Sequence, residues 1–388
     1  ARVGGGPRRA LIPALFLALI AVPARAQHAA PLPPRVVGYY ASWTDRAPRN
    51  YHVADIPAER LTHVNYAFAL IDPEGRIVLD DPRSDGEDGI LAGLRELKKK
   101  HPHLKALVSV GGWGGSARFS DVALTVASRR RFADSCVEFM ANHDLDGVDI
   151  DWEFPVTGGA RGNAKRPEDR ANFTKLLATL RDALDAHTLI DRRTHLLTIA
   201  APAGAPTSDH MELKAIGAIL DWVNLMDYDF AGGWSRAAGF HAALAGDRGM
   251  TVEASVRHYV EAGVPRDKLV VGVPFYGKGW VVADTKDDGL NQPPAKNPPK
   301  GFSPGFDVAY RDIPAKLPGA SRHWSAKAKA PYLFDPARKI FFGYDDPESL
   351  RLKAEYAREH NLGGLMIWEL SQDDREGTLI RSFAPRRP

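Results

Sequence analysis

Residues 145–155 read LDGVDIDWEFP, with acids at 146, 149, 151 and 153 among large apolar side chains. Side chains at i, i+2 and i+4 of a strand share one face. Asp149, Asp151 and Glu153 therefore line one side, and Val148, Ile150, Trp152 and Phe154 take the other. Such a strand packs its apolar side on a covering layer and points three carboxyls into an interior. Asp146 breaks the parity, so it is assigned a structural role at the strand start. A solvated acidic face is the bland alternative, and a buried parallel strand rarely has one.

Working outward, seven further runs have the same buried-strand character: RVVGYY (35–40), HVNYAFAL (63–70), KALVSVGG (105–112), HLLTIAAP (195–202), DWVNLMDY (221–228), KLVVGVPFY (268–276) and GGLMIW (363–368). Between several of them lie segments of helical period, such as ANFTKLLATLRDALDAH (171–187) and SLRLKAEYAREHN (349–361). Apolar strands alternating with helices predict a parallel sheet covered by helices. Eight such units predict a closed α/β (β/α)8 TIM barrel over 35–280 and 343–386. The gap between strands seven and eight exceeds one helix and includes NQPPAKNPPKGFSPG (291–305) and the hairpin-like APYLFDPARKIFFGYDD (330–346). It predicts a small α+β insertion over 281–342, on the face where barrels carry their sites.

The first 26 residues do not belong to this pattern. Arg8 and Arg9 precede an apolar run, Ala10 to Val22, and then Ala24-Arg25-Ala26. This is the form of a secretory signal peptide cut after Ala26, followed by a proline-rich lead-in over 27–34. The run is short for a membrane span of about 20 residues. The expectation is a secreted or periplasmic protein with no membrane partner after cleavage. The formal charge of +3 includes Arg2, Arg8, Arg9 and Arg25, so 3 − 4 leaves −1 beyond residue 26. Nothing in that balance calls for nucleic acid or another polyanion. The single cysteine, Cys136, excludes an internal disulfide and sits in the helical stretch ADSCVEFM as a small buried side chain.

Three carboxyls spaced by about 7 Å along a strand repel one another in a poorly solvated interior. At least one is held protonated near neutral pH, which suits general acid catalysis. Glu153, nearest the strand's C-terminal end, is the candidate acid. Glycosidic cleavage fits, but the usual pair of carboxyls flanks a sugar from two sides. Asp151 stands beside Glu153 on one strand, so a nucleophile must come from another strand or from the substrate. Hard oxygen ligands for a metal are the competing reading. There is no HExxH motif and the 13 histidines are scattered, so no metal and no cofactor are expected. Five tryptophans, Trp43, Trp113, Trp234, Trp280 and Trp368, follow strand ends, where aromatic faces suit stacking on pyranose rings. Trp152 and Trp222 read as core.

At this point the chain resembles glycoside hydrolase family 18, the chitinases. DGVDIDWE (146–153) is similar to that family's DxxDxDxE signature, SVGG (109–112) to its SxGG motif, and MDYD (226–229) to its MxYD motif. GVPFYGKGW (272–280) and the run 344–374 resemble its strand-seven and C-terminal segments, and the insertion resembles that of the deep-groove subfamily. The resemblance implies that Glu153 is the acid and then the base. It implies that the substrate's acetamido oxygen is the nucleophile, with configuration retained. It further implies that Asp151 orients the acetamido N–H and Asp149 tunes Asp151 by sharing a proton. Tyr228 would donate to the acetamido group, and Met226 and Asp229 would line the same pocket. Trp368 would form a platform beneath the scissile sugar, with Tyr39 and Phe68 near the acidic row. Trp43, Trp113 and Trp234 complete the expected binding aromatics.

The expected function is hydrolysis of β-1,4-linked N-acetylglucosamine in chitin or chito-oligosaccharides by a monomer. An endo-acting N-acetylglucosaminidase on other glycans, a non-hydrolytic chitin-binding lectin and a metal-dependent phosphohydrolase are the alternatives. The intact Glu153 speaks against the lectin.

Overall fold

The computed structural model describes residues 1, 2, 4, 34–86, 89–247, 249–296 and 305–387. Most of the expected signal peptide and of the lead-in falls outside these residues. Eight parallel strands form the barrel. The first seven are β1 (Arg35–Ala41), β2 (His63–Ile71), β3 (Lys105–Gly111), β4 (Gly147–Asp151), β5 (Leu196–Pro202), β6 (Trp222–Met226) and β7 (Leu269–Pro274). The chain then makes five antiparallel strands, β8 (Tyr276–Val281), β9 (Gly305–Ala309), β10 (Ser321–Ser325), β11 (Ala330–Asp335) and β12 (Ile340–Gly343). It returns to the barrel as β13 (Gly364–Trp368). Pairing runs β1-β13-β7-β6-β5-β4-β3-β2, and β2 closes on β1.

The main covering helices are α1 (Ile90–Lys100), α2 (Val126–Asn142), α3 (Asp169–Asp191), α4 (Leu213–Ile219), α5 (Val252–Glu261) and α6 (Pro347–Glu359). In α3, Phe173, Leu176, Leu177, Leu180 and Leu184 recur at helical spacing and are all buried. Each such side chain stabilises the fold by about 1.5–3 kcal/mol relative to exposure. The helix stops at Arg192, whose φ of 64° is left-handed. Cys136 is fully buried on α2. Among the described residues no helix is long and apolar enough to cross a membrane.

Two apolar regions follow from the alternation along β4. Val148, Ile150 and Trp152 belong to the large layer between strands and helices, where Trp152 stacks on Phe119 at 5.4 Å. The barrel interior holds Val37, Tyr39, Ala67, Leu107, Trp222, Val270 and Met366. Trp222 thus fills core, as does Trp152. Asp146 anchors the start of β4: its carboxylate accepts from the Ala106 amide at 2.9 Å and pairs with Lys98, Lys105 and Arg193.

The antiparallel sheet starts at Tyr276 and ends at Gly343, wider than the expected 281–342. The segment read as the tail of strand seven already pairs with β9 and β12. The hairpin read over 330–346 is β11 and β12. Trp280, expected at a binding surface, is 0% exposed and packs with Val282, Ala238 and Phe341 inside this unit. Its position on a strand shared by a second core, rather than in a loop, is why it is buried.

Candidate active site

β4 ends at Asp151, and the chain leaves the sheet there. Glu153 therefore sits just beyond the strand, still on the inward side. Its backbone is tied down twice: its amide donates to Ser116 Oγ at 2.9 Å, and its carbonyl accepts from Asn163 Nδ2 at 2.9 Å. Ser116 Oγ in turn shares its one proton between the Gly112 carbonyl at 2.8 Å and the Asp151 carbonyl at 3.1 Å. Phe154, expected on the outward face, instead lines the cleft with Glu153, because strand parity no longer holds past residue 151. The paired glycines of SVGG make room for this arrangement. A Cβ on Gly111 would stand 2.3 Å from the Asp151 carbonyl, and one on Gly112 would stand 2.4 Å from the Phe68 ring.

A cleft of about 1130 Å³ opens at the C-terminal ends of the barrel strands. Tyr39, Trp43, Phe68, Trp113, Asp151, Glu153, Met226, Tyr228, Asp229, Trp234 and Trp368 all line it. Asp149 lies one layer below, fully buried. The residues that the sequence singled out for the site thus converge here, apart from Trp280, which is buried in the second sheet's core.

Asp149 is held from four directions. Its Oδ2 accepts from Tyr39 Oη and Ser109 Oγ, both at 2.7 Å, and its Oδ1 accepts from Thr198 Oγ1 at 2.5 Å and Asn224 Nδ2 at 3.3 Å. Burial raises its pKa, and these four donors pull against that rise. Two residues on, Asp151 Oδ1 is buried with no hydrogen-bond partner. Burial, then the charges of Glu153 and Asp149, push the Asp151 carboxyl well above the usual range. Burial first, and then the charge of Asp229, push Glu153 up to about 7. Asp151 and Glu153 also repel each other, which favours a proton on the pair. Glu153 is thus a carboxylic acid that keeps its proton close to neutrality.

The opposite wall carries the other half of the charge pattern. Burial would raise Asp229, but the His241 ring, the Lys278 charge and the Tyr276 hydroxyl bring it below the ordinary carboxylate value. Tyr276 Oη donates to Asp229 Oδ1 at 2.5 Å, and Lys278 Nζ stands 3.3 Å from the same oxygen. Burial and four neighbouring acids keep the Tyr228 phenol protonated, so it is a donor facing Asp151 and Glu153. Trp368 packs edge-on to Tyr39 at 5.5 Å and stacks on Phe68 at 5.7 Å, forming an aromatic floor near the acids. Trp43, Trp113 and Trp234 stand at the rim, 54%, 57% and 66% exposed, so their faces are open to a ligand.

Sequence reasoning missed Thr198, Asn224, Ser116, Tyr276 and Lys278. The first two were within reach. Thr198 is in phase with the inward Ala200 and Pro202, and Asn224 is in phase with Met226 and Tyr228, so a polar residue there points at the acids. Ser116 and Lys278 act across the fold and leave no local signal.

A closed parallel barrel with a row of raised-pKa carboxyls beneath an aromatic cleft is the architecture of a glycoside-cleaving enzyme. The model of the glycosyl hydrolases family 18 matches residues 35–373, and the chain belongs to that family. It is 40% identical over 401 residues to chitinase A1 of Niallia circulans, covering 89% of this chain but only 57% of that protein's length. Chitinase ChiA74 from Bacillus thuringiensis superposes with a TM-score of 0.84 at 35% identity, over 90% of this chain and 69% of the other. A family 18 N-acetylglucosaminidase from Paenibacillus barengoltzii superposes with a TM-score of 0.78 at 36% identity, over 90% of this chain and 99% of the other.

Proposed function

We propose that the chain is a chitinase that hydrolyses β-1,4-linked N-acetylglucosamine with retention, using the substrate's own acetamido oxygen as nucleophile. The carrying observation is the pairing of Glu153, pushed up to about 7, with the partnerless Asp151 Oδ1 beside it. Glu153 delivers its proton to the leaving glycosidic oxygen. Asp151 offers its empty oxygen to the acetamido N–H, and it passes the proton that burial makes it keep to Asp149, so that the charge left on Asp151 offsets the oxazolinium ion that forms as the C–O bond breaks. Tyr228 donates to the acetamido group from the opposite wall. Water then opens the ring of the intermediate, with Glu153 taking the proton back.

Asp151 and Glu153 leave the sheet together, so neither reaches the far face of a sugar that the other is protonating. Asp229, the facing carboxylate, is already committed to Tyr276 and Lys278. A nucleophile built into the substrate removes the difficulty. Fully deacetylated chitosan is then expected to remain uncut, and a thiazoline mimic of the cyclic intermediate to compete with substrate. A covalent glycosyl adduct on any carboxylate, trapped with a slow substrate and read by mass spectrometry, would overturn the mechanism.

A second reading is release of single N-acetylglucosamine units, favoured by the likeness to the Paenibacillus enzyme along 99% of its length. Product masses from a hexamer separate the two: dimers and trimers mean a chitinase, monomers alone mean an N-acetylglucosaminidase. The composition of residues 1–26 supports export with cleavage after Ala26. The N-terminal sequence of protein recovered outside the cytoplasm tests this.

A further inference from the structure

At the opposite end of the barrel from the cleft, three side chains with metal-ligand chemistry converge. His187 and Asp191 lie one turn apart near the C-terminal end of α3, and His195 lies just ahead of β5. One donor atom from each stands within 4.8 Å of the others, and this is the one such His, Cys, Asp and Glu group among the described residues. Two of the 13 histidines, His187 and His195, are here brought to a single carboxylate oxygen. Asp191 Oδ2 is 3.0 Å from His195 Nε2 and 3.6 Å from His187 Nε2. Tetrahedral ligands at about 2.0–2.1 Å from a zinc ion are separated by about 3.3–3.4 Å. The two separations from Asp191 Oδ2 bracket that value.

We propose that His187, Asp191 and His195 form a divalent transition-metal site of zinc type, with a fourth position open to water. Two imidazoles and one carboxylate suit zinc, cobalt or nickel better than calcium or magnesium, which take oxygen ligands. The place suits a cation as well. α3 runs over 23 residues, and the negative end of its dipole lies in the turn that holds His187 and Asp191. The His187 and Asp191 side chains are 20% and 26% exposed, so an ion reaches the site, while His195 is 2% exposed and gives it a fixed wall. Arg193 is the facing cation. It is drawn away from the site by its pairs with Asp144 at 2.6 Å and Asp146 at 3.1 Å.

His195 Nδ1 is buried without a partner. A ligating histidine usually donates its second N–H to an acceptor, so binding should be weaker than at a closed structural zinc site. The ion ties the end of α3 to the start of β5 and lies on the face away from catalysis. It is therefore a brace and takes no part in glycoside cleavage.

The test is calorimetric titration of the chelator-treated full chain with zinc chloride at pH 7.5, alongside His187→Ala and Asp191→Asn. The unmodified protein is expected to bind one zinc ion and to melt a few degrees higher when saturated. Each variant should lose more than the roughly 10–100-fold in affinity that removal of an outer-shell partner costs. Calcium and magnesium should give no shift at the same concentration. Absence of saturable zinc binding below millimolar concentration, or variants that bind zinc as tightly as the unmodified protein, overturns the site. An equal response to calcium overturns its metal class.

Discussion

Asp149 and Asp151 sit two residues apart on the same strand, both buried and both facing inward, yet their surroundings differ completely. Asp149 meets four donors, from β1, β3, β5 and β6, so the floor of the barrel is closed electrostatically before any ligand arrives. Asp151 meets none at Oδ1 and lies between two other acids. The floor spends its hydrogen bonds on holding the strands together. The mouth keeps one buried oxygen, Asp151 Oδ1, unsatisfied, which destabilises the empty protein and favours whatever supplies the missing partner. Strain of this kind concentrates at working sites.

The largest effect that could break this contrast is at the mouth. Glu153→Gln should fold, bind chito-oligosaccharide and lose at least the roughly 10²–10⁴-fold in kcat that general acid catalysis contributes. A variant that kept a tenth of normal turnover would show that the chemistry lies elsewhere. The floor should respond in stability as well. Asp149→Ala leaves the Tyr39, Ser109, Thr198 and Asn224 donors without their acceptor, and each buried unsatisfied group costs about 1–3 kcal/mol. Urea unfolding should show a loss of several kcal/mol. An unchanged midpoint would mean that water replaces the carboxylate and that the floor is not structural.

pH sharpens the same comparison. Glu153 has an ordinary value near 4.5 and a folded value of about 7, so the folded protein binds this proton more tightly than the unfolded chain does. The stability it contributes is complete below about pH 4.5 and is lost as pH rises through about 7. Glu153→Gln has no proton to lose there. It should therefore be more stable than the parent at pH 8 and show no such advantage at pH 4. In the parent, kcat/KM should fall above about pH 7 as the acid ionises. Equal melting temperatures for the two proteins at pH 8 would place Glu153 in water, without the burial that raises it.

The sequence exposed the fold because apolar strand runs recur eight times with helical segments between several of them, and each barrel strand lies within a few residues of its reading. It exposed the acids because a carboxylate is conspicuous in an apolar strand. The donors to Asp149 were harder to see, since Ser, Thr and Asn are unremarkable alone and gain meaning only when four strands converge. Trp280 shows the reverse error. A tryptophan after a strand looks the same whether the next segment is a loop or, as here, the first strand of a second sheet with its own core. The expected boundary at 281 failed for the same reason.

Between floor and rim lies Trp368, half covered by Tyr39, Phe68 and Trp43. If it supports the sugar as its ring flattens, Trp368→Ala should lower kcat as well as raise KM, and Trp368→Phe should lose less. The alanine variant also gives up packing, so its folding must be checked first. A change in KM alone would make this ring a general binding surface.

The smallest effect belongs to the rim. Trp234 is 66% exposed, its ring lies against Gly232, and Lys278 Nζ stands 5.1 Å from the ring centroid. A Cβ on Gly232 would stand 2.4 Å from that ring, so the glycine permits the pose. Lys278 also reaches Asp229 and Asp307, which holds the cation near the ring whether or not substrate is bound. The exposed indole face is left for a sugar remote from the bond being cut. Such a contact is equally strong in the ground state and the transition state, so Trp234→Ala should raise KM and leave kcat alone. Aromatic contacts contribute about 0.5–1.5 kcal/mol beyond area, which makes the expected rise roughly two- to tenfold. The melting temperature should stay unchanged, because so little of the ring is buried. Comparing a dimer with a hexamer gives the sharper reading: the loss should appear only with chains long enough to reach the rim. A matching loss of kcat on both substrates would place Trp234 within the reacting centre and erase the distinction between rim and mouth.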